Sequence, residues 1–269
     1  MTVRLDALNI YPVKGCRRNE LAVAELGARG LDGDREWLVT RPDGTFLSQR
    51  THPGLARLVP TRAGARLELE CPGLASLVVE PFVGGESREV VVWRDRMQAW
   101  DAGEPAAEWL TRALGVPARL ARFAPETRRM ADRRYVGAHD VPLTFADGYP
   151  LLVCTTASLA ELNRRLPIPV PMERFRPNLV LDGLQPFAED RIKAVRVGAV
   201  TLRFVKPCTR CVVPSIDQTT GLRSTDPTPA LKAFRYDPAL QGVVFGVNAV
   251  VDGPRGATLA VGAEAEVIA

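Results

Sequence analysis

Apolar positions in the first hundred residues recur mainly at every second residue, the period of a half-buried strand. Val3, Leu5 and Ala7 alternate with polar neighbours towards Tyr11, and Arg66-Leu67-Glu68-Leu69-Glu70 alternates cleanly. Glu36–Thr40 runs into the turn residues Arg41-Pro42-Asp43-Gly44 before Thr45-Phe46-Leu47, which predicts a hairpin. A β-branched run follows at Val90-Val91-Val92, and Gly and Pro punctuate the segments. So many short strands predict a mostly β fold, an antiparallel barrel or sandwich, with few helices. Helical spacing first appears at Pro105–Leu114, where Trp109, Leu110, Ala113 and Leu114 share a face and Gly115 is placed to end the helix.

Residues 125–140 are polar, rich in arginine and without clear period, as expected of a linker or lid between two halves. A second helix is predicted from Ser158 to Leu166. Ser158 and Glu161 have capping-box spacing, Leu159, Leu162 and Leu166 form one stripe, and Pro167-Ile168-Pro169-Val170-Pro171 stops it. Strand patterns return at residues 178–181, 195–197, 200–205, 243–251 and 258–267, with no repeat and no low-complexity tract.

Composition narrows the partners. The 269 residues are 46% hydrophobic and 25% charged, with a formal charge of +4 and no long block of one sign, so nucleic acid is not the expected partner. Only Lys14, Lys193, Lys206 and Lys232 are lysines; the remaining basic residues are arginines, which suit bidentate contact with phosphate or carboxylate. The first residues lack the apolar core of a signal peptide, and no stretch is long enough to span a bilayer. Five scattered cysteines, an odd number, favour a reducing compartment, and a soluble, cytoplasmic protein is expected.

Lys206-Pro207-Cys208-Thr209-Arg210-Cys211 concentrates the candidate chemistry. A C-x-x-C admits a half zinc site, a redox dithiol, or one functional thiolate with a neighbour. Zinc needs further ligands, yet Cys16, Cys71 and Cys154 stand singly and the histidines are His52 and His139 alone. A dithiol of the thioredoxin kind wants a helix start, which Val212-Val213-Pro214 does not resemble. The preference is a single thiolate beside the cations Lys206 and Arg210, with Cys208 as a small buried filler.

The chain also carries Ile10-Tyr11-Pro12-Val13-Lys14-Gly15-Cys16, Gly33-Asp34-Arg35-Glu36-Trp37-Leu38-Val39, Phe175-Arg176-Pro177-Asn178-Leu179-Val180 and Asp217-Gln218-Thr219-Thr220-Gly221. With the cysteine motif, these five segments in this order resemble MOSC-domain proteins of the group that includes the mitochondrial amidoxime-reducing components. That resemblance implies a MOSC N-terminal β-barrel region, residues 1–122, followed by a MOSC β-barrel domain, residues 123–269, with a molybdenum cofactor (molybdopterin) held between them.

Position by position, the resemblance implies that Cys211 ligates the metal and that Lys14, Arg35 and Arg176 contact the anionic cofactor. Asn178 and Asp147 would bond the pterin edge, Thr209 and Arg210 flank the ligand and add contacts, and Gly148, Tyr149 and Asn248, the last in a segment closing over the site, complete the cofactor-binding set. Gly15 stands where many relatives have serine, leaving only its backbone to serve. The implied activity is reduction of N-hydroxylated substrates such as amidoximes, hydroxylamines or N-oxides. The alternative is a cofactor or sulfur carrier whose Cys211 holds a persulfide. Since no cysteine follows Cys211, electrons are expected from an external ferredoxin, flavoprotein or cytochrome. Arg128-Arg129-Met130-Ala131-Asp132-Arg133-Arg134 is the segment that could dock such an acidic donor, or be a solvated loop.

Overall fold

The computed structural model describes residues 2–82 and 84–268. Its centre is a closed seven-stranded barrel. In barrel order the strands are Leu151–Thr155, Leu179–Asp182, Val3–Ile10, Glu264–Ile268, Ala194–Val197, Val200–Thr209 and Gly242–Asp252; the last pairs back onto the first. Leu151–Thr155 and Leu179–Asp182 run parallel because the helix Thr156–Asn163 carries the chain between them. Leu5, Leu8, Val153, Leu179, Leu181, Val195, Leu202, Val247 and Ala249 fill the barrel. The first strand of the chain lies inside it, so this sheet draws on both sides of residue 122.

That first strand keeps its alternation only as far as Leu5. A bulge between Leu5 and Ala7 shifts the register against Leu179–Asp182, leaving Ala7 half exposed while Leu8 and Ile10 turn inward. The N-terminal half adds a four-stranded antiparallel sheet in the order Trp37–Thr40, Arg119–Phe123, Asp95–Asp101 and Ser87–Val92, and a three-stranded sheet of Val59–Ala63, Arg66–Glu70 and Leu77–Val79. The predicted helix spans Glu104–Leu114. It buries Trp109 and Leu110 against Trp37, Leu55, Leu67 and Leu120, and Gly115 ends it at φ 69°. Each such large apolar side chain stabilises the fold by about 1.5–3 kcal/mol.

Elsewhere the chain departs from its pattern. The predicted hairpin after Thr40 closes, with Arg41 N donating to Thr45 O, but its second arm then bonds to Val91 and makes only isolated bridges. Gly44 permits that approach, for at φ 85° a Cβ there would lie 2.2 Å from Glu89 O. The second helix is Thr156–Asn163, earlier than expected. Thr155, and not Ser158, caps it by accepting from Ser158 N at 3.1 Å, while the Ser158 hydroxyl turns to the buried Glu189 carboxylate. The apolar run 258–267 is two strands, Thr258–Ala260 and Glu264–Ile268, broken at Gly262. A further helix, Thr228–Arg235, was not predicted.

Residues 125–140 are no free linker. Ala131 and Val136 pack with Leu143 and Val250 of the barrel, and Arg133–Val136 is a short helix. The basic stretch is largely neutralised: Arg129 pairs with Asp95, Arg133 with Asp140 and Arg134 with Asp132. The charge expected to draw an acidic donor to that segment is therefore mostly spent.

Candidate functional site

Between the barrel and the N-terminal sheets lies a cavity of about 350 Å³. Lys14, Gly15, Arg35, Asp147, Gly148, Tyr149, Arg176, Asn178, Thr209, Arg210, Cys211 and Asn248 all line it. Strand ends and loops supply most of them. Lys14 follows the first strand, Arg35 precedes Trp37–Thr40, Asp147 precedes Leu151–Thr155, and the cysteine motif closes the long strand Val200–Thr209. Such ends are where a rigid scaffold can aim polar groups.

Tyr11 organises two of the cations. Its ring is buried, its hydroxyl donates to Pro177 O at 3.1 Å, and the guanidinium carbons of Arg35 and Arg176 lie 4.3 and 4.2 Å from its centroid. Both arginines adopt left-handed backbone, φ 50° and 57°. Burial pushes the Tyr11 hydroxyl up to about 12, against the pull of both guanidinium groups. Arg35 is paired with Asp34. Arg176 donates to Gln218 Oε1 at 3.1 Å, and among the described residues no carboxylate lies within 4 Å of it. Burial lowers its pKa, as it does for any cation drawn from water.

Lys14 Nζ donates to Phe145 O at 2.8 Å and to Asp147 Oδ1 at 2.5 Å, tying the N-terminal half to the loop before Leu151. Trp93 Nε1 donates to the same Asp147 oxygen at 3.0 Å. Enclosure would raise the Asp147 pKa, but the Lys14 ammonium and the Trp93 indole outweigh it and hold the carboxyl well below the usual carboxylate range. Three quarters of the Asp147 side chain still faces open space, 75% exposed, so its unused oxygen can accept from a ligand.

Asn178 differs from expectation. Its Nδ2 donates to Asn9 O and Asp34 Oδ2, each at 3.1 Å, and its Oδ1 accepts from Arg35 Nη1 at 2.8 Å and Leu152 N at 3.2 Å. An amide has two donors and two acceptor sites, so none is left for a pterin edge. Asn178 instead steers Arg35. Asn248 Nδ2 donates to Lys206 O at 3.2 Å and braces the strand that carries the cysteines. Gly15 has φ 82°, and its carbonyl accepts from Gln49 Nε2 at 2.7 Å.

Cys211 lies just past Val200–Thr209, half buried, and no described residue hydrogen-bonds its thiol. Arg210 does not turn to it: Nη1 donates to Cys208 Sγ at 3.1 Å, Nη2 to Phe175 O at 2.8 Å, and Nε is buried without a partner. Cys208 is half buried rather than fully buried: it packs against the Phe175–Phe245 cluster and also lines the cavity, as Cys211 does. It sits on a strand, which removes the helix dipole that a thioredoxin-like dithiol uses. Among the described residues no three His, Cys, Asp or Glu side chains converge as a metal site. A metal held at Cys211 would draw ligands from beyond the described His, Cys, Asp and Glu side chains.

Several residues that hold this arrangement were given no role from the sequence, although Gln218 falls within one of the motif segments. Gln49 and Gln218 form a buried reciprocal amide pair, 2.9 Å in each direction, and Gln218 in turn positions Arg176. Arg129 is buried and donates to Thr144 O at 2.9 Å, Asp147 O at 3.2 Å and Ala146 O, fixing the loop that presents Asp147. Phe46, Arg50 and Trp93 also line the cavity. In sum the lining carries six cations, Lys14, Arg35, Arg50, Arg176, Lys206 and Arg210, against one carboxylate, Asp147. A multiply charged anion fits such a lining.

The family model of the MOSC N-terminal beta barrel domain matches residues 2–117, and that of the MOSC domain matches residues 140–266. Over 261 residues the chain is 32% identical to mitochondrial amidoxime-reducing component 1 of Mus musculus, covering 91% of this chain and 77% of that one. It is 32% identical to the Homo sapiens component 1 over 262 residues, with the same coverage. With component 2 of Bos taurus it shares 31% over 259 residues, 90% of this chain and 77% of that one. The chain belongs to the MOSC-domain family, in the group that joins a MOSC N-terminal barrel to a MOSC domain. No helix among the described residues is long and apolar enough to cross a membrane.

Proposed function

We propose that the cavity holds a molybdenum cofactor ligated by Cys211 and that the protein reduces N-hydroxylated compounds with electrons from a separate redox protein. The single observation that carries this reading is the cationic lining around Arg176, a guanidinium held in place by Tyr11 and Gln218 with no carboxylate partner among the described residues. A phosphate-bearing pterin would neutralise it. The relatives named above as amidoxime-reducing components support the substrate class.

The cofactor would supply the two-electron chemistry of removing oxygen from nitrogen. The chain's own residues do the rest. Arg176, Arg35 and Lys14 bind the anionic end, and Asn178 keeps Arg35 aimed by taking up its Nη1 hydrogen. Asp147 accepts from the ring amino groups through the oxygen that Lys14 and Trp93 leave free. Cys211 provides a thiolate whose sulfur no described residue hydrogen-bonds, while Arg210 ties the strand end before it to Phe175 O through its contacts with Cys208 and Phe175. The mouth beside Trp93 and Arg50 admits substrate.

Turnover tests the reading. Protein loaded with cofactor and given an artificial reductant should convert benzamidoxime to benzamidine, and Cys211→Ala should abolish the rate. Full molybdenum occupancy without turnover would favour a cofactor-carrying role.

A further inference from the structure

Trp93 occupies the first position of the two-residue turn between Ser87–Val92 and Asp95–Asp101, at φ 57°. Glycine or asparagine is the ordinary choice where a tight hairpin needs a positive φ, and a bulky aromatic there is strained. Strain of this kind persists where surrounding contacts enforce it, and it gathers at ligand-handling sites. The enforcing contacts are present: the indole donates to Asp147 Oδ1 at 3.0 Å, and Phe46 meets the ring edge-on at 4.8 Å. The result is an aromatic face standing at the cavity rim, 41% exposed.

Arg50 completes the feature. Its guanidinium lies 4.4 Å from the Trp93 ring centroid. Among the described residues it has no hydrogen-bond acceptor and no carboxylate within 4 Å, although it lines the same cavity. The contact with the ring holds the guanidinium at the cavity while its N–H groups find no acceptor among the described residues, so they can take a carboxylate bidentately. Arg35 and Arg176 are gathered separately on Tyr11. The cavity thus carries two cation–aromatic groups, and the one on Trp93 stays available to a second anionic ligand when a cofactor engages the one on Tyr11.

We propose that Arg50 and Trp93 form a substrate subsite for planar N-hydroxylated compounds that carry a carboxylate, with Trp93 and Phe46 meeting the ring and Arg50 the anionic group. The subsite rests on the reductase reading only for the N-hydroxyl end of the ligand. No motif of the family resemblance includes Arg50 or Trp93.

Calorimetric titration of the cofactor-loaded protein with 4-carboxybenzamidoxime and with benzamidoxime tests it. The carboxylate compound should bind roughly fivefold more tightly, the scale of one partly exposed charge-assisted contact. Arg50→Gln should bring the ratio of the two dissociation constants close to one, and Arg50→Glu should invert it. Because the pair is near solvent, added salt should shrink the preference. Equal affinities in the wild-type protein, no binding of the carboxylate compound, or a preference that survives Arg50→Gln would each overturn the subsite. Failure of the reductase reading looks different: both compounds bind with the expected ratio and neither is turned over.

Discussion

Arg176 donates to Gln218 at 3.1 Å and leaves the rest of its charge facing the cavity with no acidic partner among the described residues. A half-enclosed guanidinium placed in this way favours an anion over water. Arg176→Met keeps much of the packing on Tyr11 and removes the charge. Its affinity for the cofactor should fall by roughly tenfold or more, the scale of one charge-assisted hydrogen bond, and molybdenum occupancy of the variant purified under limiting cofactor should fall with it. Its thermal midpoint should stay near wild type. Metal analysis beside calorimetry checks both, and undiminished occupancy would remove Arg176 from the binding set.

Gln218 is held by Gln49, so the positioning of Arg176 should depend on a residue well removed in sequence. Gln49→Ala strands the buried Gln218 amide and should cost about 1–3 kcal/mol of stability, read from the urea midpoint. It should also lower molybdenum occupancy, though less than Arg176→Met. A loss of stability with full occupancy would make the amide pair purely structural.

Arg129 anchors the loop of Asp147 through Thr144, Ala146 and Asp147 carbonyls and pairs with Asp95. Arg129→Met leaves those carbonyls unsatisfied in a buried place and should destabilise by about 3 kcal/mol. Amide hydrogen exchange should accelerate in residues 144–148 more than in the barrel strand Leu151–Thr155. Uniform acceleration throughout would contradict the anchoring role.

Much of this architecture could be read from the chain. Alternation located strands such as Val3–Ile10, Trp37–Thr40 and Arg66–Glu70 but not Asp95–Asp101, Arg119–Phe123 or Leu151–Thr155; the Trp109–Leu110 face and Gly115 located the helix Glu104–Leu114, and the motif residues meet around one cavity. Periodicity reports burial of apolar faces, and it misses polar residues that turn inward. Arg129 lies in a stretch that looks like any solvated arginine-rich loop. The Gln49–Gln218 pair joins residues that only the tertiary fold brings together. The same blindness allowed Asn178 to look like a free ligand when its amide is consumed by Asn9, Asp34, Arg35 and Leu152.

The Lys14–Asp147 tie carries a pH signature. Asp147 has a native pKa well below its ordinary 3.8, so its contribution is fully present above that ordinary value and is lost as pH falls through the lower native one. From neutral pH down to about pH 4 the tie should hold. Asp147→Asn should lower stability at neutral pH and narrow its gap from wild type as pH falls below that value. Acid titration followed by circular dichroism measures this, and a gap independent of pH would show that the carboxylate charge plays no part.

Metal analysis and pterin fluorescence of the purified protein beside Cys211→Ser and Cys208→Ser test the molybdenum site most directly. The wild-type protein and Cys208→Ser should carry molybdenum and pterin together, whereas Cys211→Ser should lose the molybdenum. Molybdenum retained in Cys211→Ser at the wild-type level would contradict ligation by Cys211.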